Sequence, residues 1–329
     1  MANILVIGPK FFGYSHRLVE LMKNDGHNTY FITDRPSESF FHKVILRLSP
    51  SLVKKKCSKF FLNQLAELCD FIPDLVLIIK GEGVTKDVLS ILRNKFPAAK
   101  FINYQWDAIE SVPTFLECQH SYDKIYTFDK QDAYNHSLIF RPLFFIDNFI
   151  PKGNSIKQLS CIYDLSFVGT IHSDRYTVIN KIKKQLPADI RCYWYSYVTD
   201  KAMFYCRKLL NIRYLFSKIN EFQFIPLDNR DVYSIFSHSN CILDIERPRQ
   251  RGLTIRTLEV LSSGKKLITT NPSIREYDLF HSGNVFVINR KKPQIPLDFF
   301  KKSPNPIEQK VIARYSVATW LNEVVYSNL

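Results

Sequence analysis

The sequence contains no run of about eighteen apolar residues, so no helix long enough to cross a bilayer is expected. Its start, Met1-Ala2-Asn3-Ile4-Leu5-Val6-Ile7-Gly8, lacks a basic leader region and a cleavage site. It reads as a first strand, and the expected location is cytoplasmic. No Cys-x-x-Cys pair occurs. The seven cysteines (57, 69, 118, 161, 192, 206 and 241) are odd in number and irregularly spaced, which argues against a zinc site and against a disulfide framework. They read as core or surface thiols. Gly8-Pro9-Lys10-Phe11-Phe12-Gly13 is followed by Tyr14, where a P-loop needs Lys and then Ser or Thr. Gly81-Glu82-Gly83 lacks the third glycine of a dinucleotide fingerprint and reads as a turn.

Acidic residues are also in deficit. There are 31 against 45 lysines and arginines, giving a formal net charge of +14. Such an excess favours anionic partners. Nucleic acid is not expected, because zinc-finger spacing, an RNP-type strand and a helix-turn-helix are all missing. An anionic membrane face or a lipid-linked acceptor fits better, the alternative being a solvated surface that is merely basic. Tyr193 to Lys218 interleaves Trp194, Tyr195, Tyr197, Phe204, Tyr205, Tyr214 and Phe216 with Lys201, Arg207, Lys208, Arg213 and Lys218. That mixture suits a membrane interface, or equally an amphipathic helix packed on its own domain. Lys54-Lys55-Lys56 with Lys59 reads as a solvated face.

With 329 residues, 46% of them hydrophobic, the chain is globular and long enough for two domains. Apolar strands alternate with helices: strands at Ile4–Ile7, Thr29–Ile32, Leu75–Ile79, Lys100–Tyr104 and Lys124–Phe128, helices at Ser15–Asn24, Phe60–Asp70 and Lys86–Lys95. This rhythm predicts an α/β fold with parallel sheets. Residues 141–160, with Pro142, Pro151, Gly153, Asn154 and Ser155, read as a linker. The expected domains are therefore 1–150 and 151–329. After the linker the rhythm restarts, with a strand at Asp164–Val168, a helix at Arg175–Gln185 and a strand from Cys241. The last segment, 306–326, is expected to be helical.

The densest motif is Gly252-Leu253-Thr254-Ile255-Arg256-Thr257-Leu258-Glu259, followed by Gly264. It lies between the apolar runs 241–245 and 267–270 and reads as strand, loop, helix, stop, strand. A helix opening just past a strand presents N–H groups and a positive dipole end to an anion. Arg256 can hold a phosphate with its planar fork. Glu259, one turn on, can accept from the two hydroxyls of a ribose. The plainer reading of Arg256 and Glu259 is an i, i+3 surface ion pair.

Asp164-Leu165-Ser166-Phe167-Val168-Gly169 with Arg175, taken with Gly252-x-Thr254-x-Arg256-Thr257-x-Glu259, resembles the C-terminal domain of GT-B glycosyltransferases. The likeness is to the spore-maturation-protein (CgeB-like) group and to bacterial surface-polysaccharide transferases, and it runs over about residues 160–290. It implies two facing Rossmann-like domains, an N-terminal one for the acceptor and a C-terminal one for a nucleotide-sugar donor, with the final helix crossing back to the first. It implies donor roles for Gly169 (backbone approach), Arg175 and Arg256 (diphosphate), Gly252 and Thr254 (the helix opening), Thr257 (a phosphate hydrogen bond) and Glu259 (ribose). It also implies sugar transfer to a glycan or lipid-linked acceptor in lipopolysaccharide or capsule synthesis. Arg175 is otherwise an exposed arginine at a helix start, where the dipole disfavours a cation unless an anion is near. The arginine-rich stretch Glu246 to Arg251 departs from the family pattern.

In a parallel sheet, ligands bind beyond the carboxyl ends of the strands. Asp107 and Glu82 both follow strand ends and are candidates for the general base, with His16 a third; each also reads as an ordinary cap or helix residue. The metal-dependent GT-A transferases carry Asp-x-Asp. The nearest triplet here is Asp244-Ile245-Glu246, which reads as a strand-terminal acid pair, so no metal and no other cofactor are expected. An epimerase or hydrolase of nucleotide-sugars on the same scaffold is the second reading, and a non-catalytic polyanion- or membrane-binding protein the third.

Overall fold

A computed structural model of the chain describes residues 1–10, 13–36, 54–68, 70–146 and 161–329. Phe11 and Phe12 of the first loop, Cys69, and the linker residues Pro151, Gly153, Asn154 and Ser155 lie outside the described residues, as does the expected junction at 150/151. The chain divides into two compact units: Met1–Pro142 with Ala318–Leu329, and Leu143–Val317.

The first unit runs β1 (Asn3–Gly8), α1 (Tyr14–Asn24), β2 (Asn28–Thr33), α2 (Lys54–Ala66), β3 (Leu75–Ile79), α3 (Lys86–Lys95), β4 (Lys100–Gln105), α4 (Pro113–Cys118), β5 (Lys124–Thr127), α5 (Lys130–His136) and β6 (Ile139–Phe140). Its sheet has the order β2-β1-β3-β4-β5-β6, with every pairing parallel. The all-apolar β3 is wholly buried, as a strand inside a parallel sheet must be. Helix α3 is stopped and started by local chemistry. Thr85 accepts the Val88 N–H at its start, Asp87 sits in the first turn, and Arg93 and Lys95 sit in the last, matching the helix dipole at both ends. Helix α2 begins at Lys54, earlier than the expected Phe60, because Cys57, Phe61 and Leu65 recur at helical spacing and turn inward while Lys55, Lys56 and Lys59 face water.

The second unit runs β7 (Tyr163–Thr170), α6 (Arg175–Lys183), β8 (Cys192–Tyr197), α7 (Lys201–Leu210), α8 (Asn229–Ser237), β9 (Ser239–Asp244), α9 (Ile255–Ser262), β10 (Lys266–Thr269), β11 (Val285–Val287), α10 (Leu297–Lys301) and α11 (Gln309–Ala313). Its sheet has the order β11-β10-β9-β7-β8, again parallel throughout. Its core gathers Phe167, Ile179, Leu243 and Ile268 from the strands and helices around Phe204, Tyr214 and Phe222.

The single helix expected over 306–326 is two helices, α11 and α12 (Val317–Val324). Between them the backbone pairs elsewhere: the Phe145 N–H donates to the Tyr315 carbonyl (2.9 Å) and the Val317 N–H to the Phe145 carbonyl (3.0 Å). A helix cannot run through residues whose backbone is hydrogen-bonded to another segment. Helix α12 packs on the first unit's sheet. Trp320 is buried edge-on against Tyr104 with ring centroids 4.8 Å apart, and Tyr126 Oη donates to the Glu323 carbonyl at 3.2 Å. Trp320→Ala is expected to destabilise the protein by about 3–5 kcal/mol through the cavity left beside Tyr104. Urea unfolding measures this, and a loss below about 1 kcal/mol would show that α12 does not anchor there.

Candidate functional site

The motif helix α9 opens at Thr254, and the residue that organises it lies on the neighbouring strand. Asp244 ends β9 and is buried. Its Oδ2 accepts from the hydroxyls of both Thr254 and Thr257, the latter at 2.8 Å. Thr254 Oγ1 in turn accepts the Thr257 N–H at 3.0 Å, closing the N-cap. The Thr257 hydroxyl, expected to meet a phosphate, is thus buried and committed to Asp244. Gly252 is buried in the loop before the cap, and its carbonyl accepts from Asn271 Nδ2 at 3.3 Å. The helix ends at Gly264, whose φ of 69° is the left-handed conformation that a glycine stop supplies.

Arg256 and Glu259 form the i, i+3 pair at 2.9 Å. The acid is buried, at 1% exposure, and the guanidinium is 24% exposed and lies 4.8 Å over the Phe236 ring. The plainer reading is therefore physically present, and it has a consequence: Arg256 is held rigidly at the helix opening rather than waving in solvent. Glu259 is placed to position Arg256 and is covered from solvent.

Arg175, first residue of α6, donates from Nε to the Ile245 carbonyl (2.5 Å) and from Nη1 to the Thr170 carbonyl (2.8 Å), bridging the ends of β9 and β7. Burial lowers its pKa to about 10, opposed by Asp244 and assisted by Arg247. Gly169 makes room for this side chain. A Cβ there would lie 3.4 Å from Arg175 Nη1 and 3.1 Å from Phe167 Cζ.

Two residues that the sequence did not single out complete the region. Arg290 donates to Asp174 Oδ1 (2.6 Å), the Glu246 carbonyl (2.7 Å), the Glu246 carboxylate and Thr270 Oγ1 (3.1 Å). Glu246 is thereby buried and paired, while its burial pushes its pKa up. His172, just past β7, is driven down to about 2, first by burial and then by Arg175, Arg247, Arg207 and Arg290. Five arginines (175, 207, 247, 256 and 290) gather near the carboxyl ends of β7, β9 and β10, beside the acids Asp174, Asp244, Glu246 and Glu259. Neither Arg290 nor His172 has a local motif; both are recruited by long-range packing.

The candidate bases lie in the first unit. Glu82 is buried, at 2% exposure, and ion-paired to Arg35 and to Lys80 (3.1 Å). Its backbone N–H donates to Asp34 Oδ2 at 3.1 Å. Asp34 and Arg35 are themselves buried, and Arg35 grips Asp34 at 2.7 and 3.2 Å. Gly83 lets this network close, because a Cβ there would fall 2.2 Å from the Asp34 carbonyl oxygen. For Glu82 to act as a base, taking up a proton would cost it two buried ion pairs. Asp107 is the network's exposed end, 21% exposed and ion-paired to Lys80. Lys80 and Gly81 are both left-handed, with φ of 63° and 72°, and this tight turn brings the lysine under Asp107. His16 is exposed on the first turn of α1, its ring 4.5 Å from that of Phe31 and apart from this network.

No family model matches the chain, and no curated protein matches it. Solved structures do. An α-glucosyltransferase in complex with UDP and a 13-mer DNA is similar over 99% of both chains, with 13% identity and a TM-score of 0.62. A glycosyltransferase from Rickettsia africae ESF-5 is similar over 99% of this chain and 97% of that one, with 14% identity and a TM-score of 0.61. UDP-GlcNAc 2-epimerase from Neisseria meningitidis, bound to UDP-GlcNAc, is similar over 99% of both chains, with 12% identity and a TM-score of 0.59. The fold is GT-B. In GT-B terms, the first unit is the N-terminal Rossmann-like domain together with the returning C-terminal helix, and the second is the C-terminal domain carrying the arginine-rich strand ends.

The depressed His172 has a stability consequence. The unfolded histidine protonates near pH 6.5, whereas the folded one stays neutral down to about 2. The contribution is complete above the unfolded value and is lost as pH falls through this window, at up to about 1.4 kcal/mol per pH unit. His172→Asn should flatten the decline in urea stability between about pH 6.5 and 5. An unchanged slope in the variant would show that the imidazole is not held neutral.

Proposed function

We propose that the protein is a metal-independent glycosyltransferase, a hexosyl- or related transferase. It moves a sugar from a nucleotide-sugar donor to a glycan or lipid-linked acceptor in bacterial surface polysaccharide synthesis, in the manner of the CgeB-like and lipopolysaccharide or capsule transferases. It works in the cytoplasm, at the inner face of the membrane. The observation that carries this reading is the convergence of Arg175, Arg256 and Arg290 with the start of α9 at the carboxyl ends of one parallel sheet. A preorganised positive field of this kind stabilises the charge that develops on a departing nucleoside diphosphate without a bound metal. Arg256 is assigned to the diphosphate, and Glu259, whose carboxylate is covered from solvent, is assigned to steadying Arg256. Arg175 supports the strand ends and adds charge. On the acceptor side, Asp107 is assigned as the base if transfer inverts the anomeric centre; Lys80 keeps it in place.

The likeness to a solved UDP-GlcNAc 2-epimerase, at a TM-score of 0.59 over 99% of both chains, supports a second reading as a nucleotide-sugar epimerase or hydrolase. Appearance of an epimer or of free sugar with no acceptor present would select it.

A thermal-shift series with UDP, GDP, CDP, dTDP and CMP tests the donor assignment. One nucleoside diphosphate should raise the melting temperature of the wild type. Arg256→Ala should weaken that diphosphate by roughly 10- to 100-fold, the value of one charge-assisted contact, while changing the parent nucleoside little. Equal responses from wild type, Arg256→Ala and Glu259→Ala would place the donor elsewhere.

A further inference from the structure

Exposed apolar surface is concentrated in one stretch of the second unit. Of the eighteen large hydrophobic side chains exposed among the described residues, eight lie within 205–225. Phe216 is 89% exposed and Leu209 86%, with Leu210, Ile212 and Leu215 beside them in sequence. Scattered exposed leucines are ordinary, but a contiguous apolar surface on a folded domain marks a site of association.

This segment is not one that failed to find its core. Phe204, Tyr214 and Phe222 from the same stretch are buried. Tyr214 stacks on Tyr176 with centroids 5.2 Å apart, and Phe204 meets Phe222 at 5.1 Å. Lys208 Nζ donates to the Ser217 carbonyl at 2.9 Å, tying the end of α7 to the turns that follow. The inward positions are filled by aromatics, and the outward ones carry Leu209, Leu210, Ile212, Leu215 and Phe216. An ordered scaffold therefore holds five apolar side chains out in water, where each costs free energy until something covers it.

The charges around them identify the cover. Lys201, Arg213 and Lys218 are exposed within the same stretch. Glu221, the acid within 205–225, accepts from Tyr176 Oη at 2.6 Å, and the exposed Asp200 just before α7 caps that helix. Bulky apolar tips among basic side chains fit a bilayer interface, where the tips enter the acyl boundary and the cations meet anionic headgroups. A protein partner would cover the apolar tips equally well, but the surrounding cations and the chain's net charge of +14 favour a lipid surface of negative charge.

We propose that the crest formed by residues 205–225 is a membrane-docking surface that inserts Leu209, Leu210 and Phe216 into an anionic bilayer, with Arg213 and Lys218 on its headgroups. This deepens the membrane-facing part of the reading above by naming the surface, and it does not depend on the donor chemistry.

Co-sedimentation of the full chain with vesicles of phosphatidylglycerol and phosphatidylethanolamine, against phosphatidylcholine alone, tests it. Wild type should sediment with the anionic vesicles. The triple variant Leu209→Ser, Leu210→Ser, Phe216→Ser should bind them at least about tenfold more weakly, with its thermal response to UDP or the preferred diphosphate unchanged. Arg213→Gln with Lys218→Gln should lose a similar factor on anionic vesicles and most of the salt dependence; this variant keeps the test alive if the triple variant does not fold. Wild type that ignores anionic vesicles, or a triple variant that binds as well as wild type, overturns the proposal. A wild-type dimer that the triple variant turns into a monomer, without vesicle binding, also overturns it and makes the face a contact between copies. Absence of any nucleotide response in wild type would count against the donor assignment alone.

Discussion

One carboxylate fixes the corner on which the second unit's candidate site is built. Asp244 Oδ2 takes hydroxyl hydrogen bonds from Thr254 and Thr257, three residues apart on the opening turn of α9. The Thr254 oxygen does two things at once, donating to the acid and accepting the helix's own N–H. Charge-assisted bonds of this type contribute about 1.5–3 kcal/mol each, and a buried carboxylate deprived of them costs at least as much. The direction and position of the helix start are therefore set by the strand end. Thr254, read as the helix opening, and Thr257, read as a phosphate ligand, both fasten that corner. What faces an incoming anion is then the helix opening itself and the arginines held beside it.

The two units solve the same problem with opposite signs. At the strand ends of the second unit, arginines are held partly by backbone carbonyls (Thr170 and Ile245 for Arg175, Ile171 for Arg207, Glu246 for Arg290) and partly by carboxylates (Asp174 and Glu246 for Arg290, Glu259 for Arg256). A carbonyl satisfies a guanidinium N–H without cancelling its charge. Arg175 and Arg207 therefore keep their charge through packing, and His172, lowered first by burial, is lowered further by the arginines around it. At the strand ends of the first unit, three acids (Asp34, Glu82 and Asp107) meet two bases (Arg35 and Lys80), and the cations are paired with carboxylates. Charge there is nearly cancelled, and only Asp107 reaches the surface. One unit is suited to receive an anion; the other presents a single anchored carboxylate.

Much of this was legible in the residues. The apolar strands, the helix from Lys86, the cap at Thr254 and the stop at Gly264 follow from local rules, and the structure keeps them. The parts that sequence reading missed share one property: their partners are distant along the chain. Asp34 and Arg35 follow β2 and are buried in a network with Glu82, which lies 47 residues beyond Arg35. Arg290 carries no motif and reaches Asp174 across 116 residues. The break between α11 and α12 has no proline or glycine to announce it; Phe145, far upstream, takes the backbone groups that a continuous helix would need. Glu82 belongs here too: its position past a strand end is legible in the sequence, and its two cationic partners are not.

The chain's positive excess thus divides into two kinds of charge. The arginines at the strand ends are held by short bonds to fixed oxygens, so their geometry exists before any ligand arrives, which is what stabilising a developing charge requires. Lys201, Arg213 and Lys218 are exposed and lie near exposed apolar residues in the sequence. Diffuse charge of that sort recognises a surface rather than a molecule, because a surface supplies many equivalent anions and tolerates many side-chain positions. Salt separates the two: attraction between exposed charges falls as the screening length shortens, while partly buried arginines are screened far less. A single net charge of +14 therefore covers two kinds of charge that respond differently to the same ionic strength.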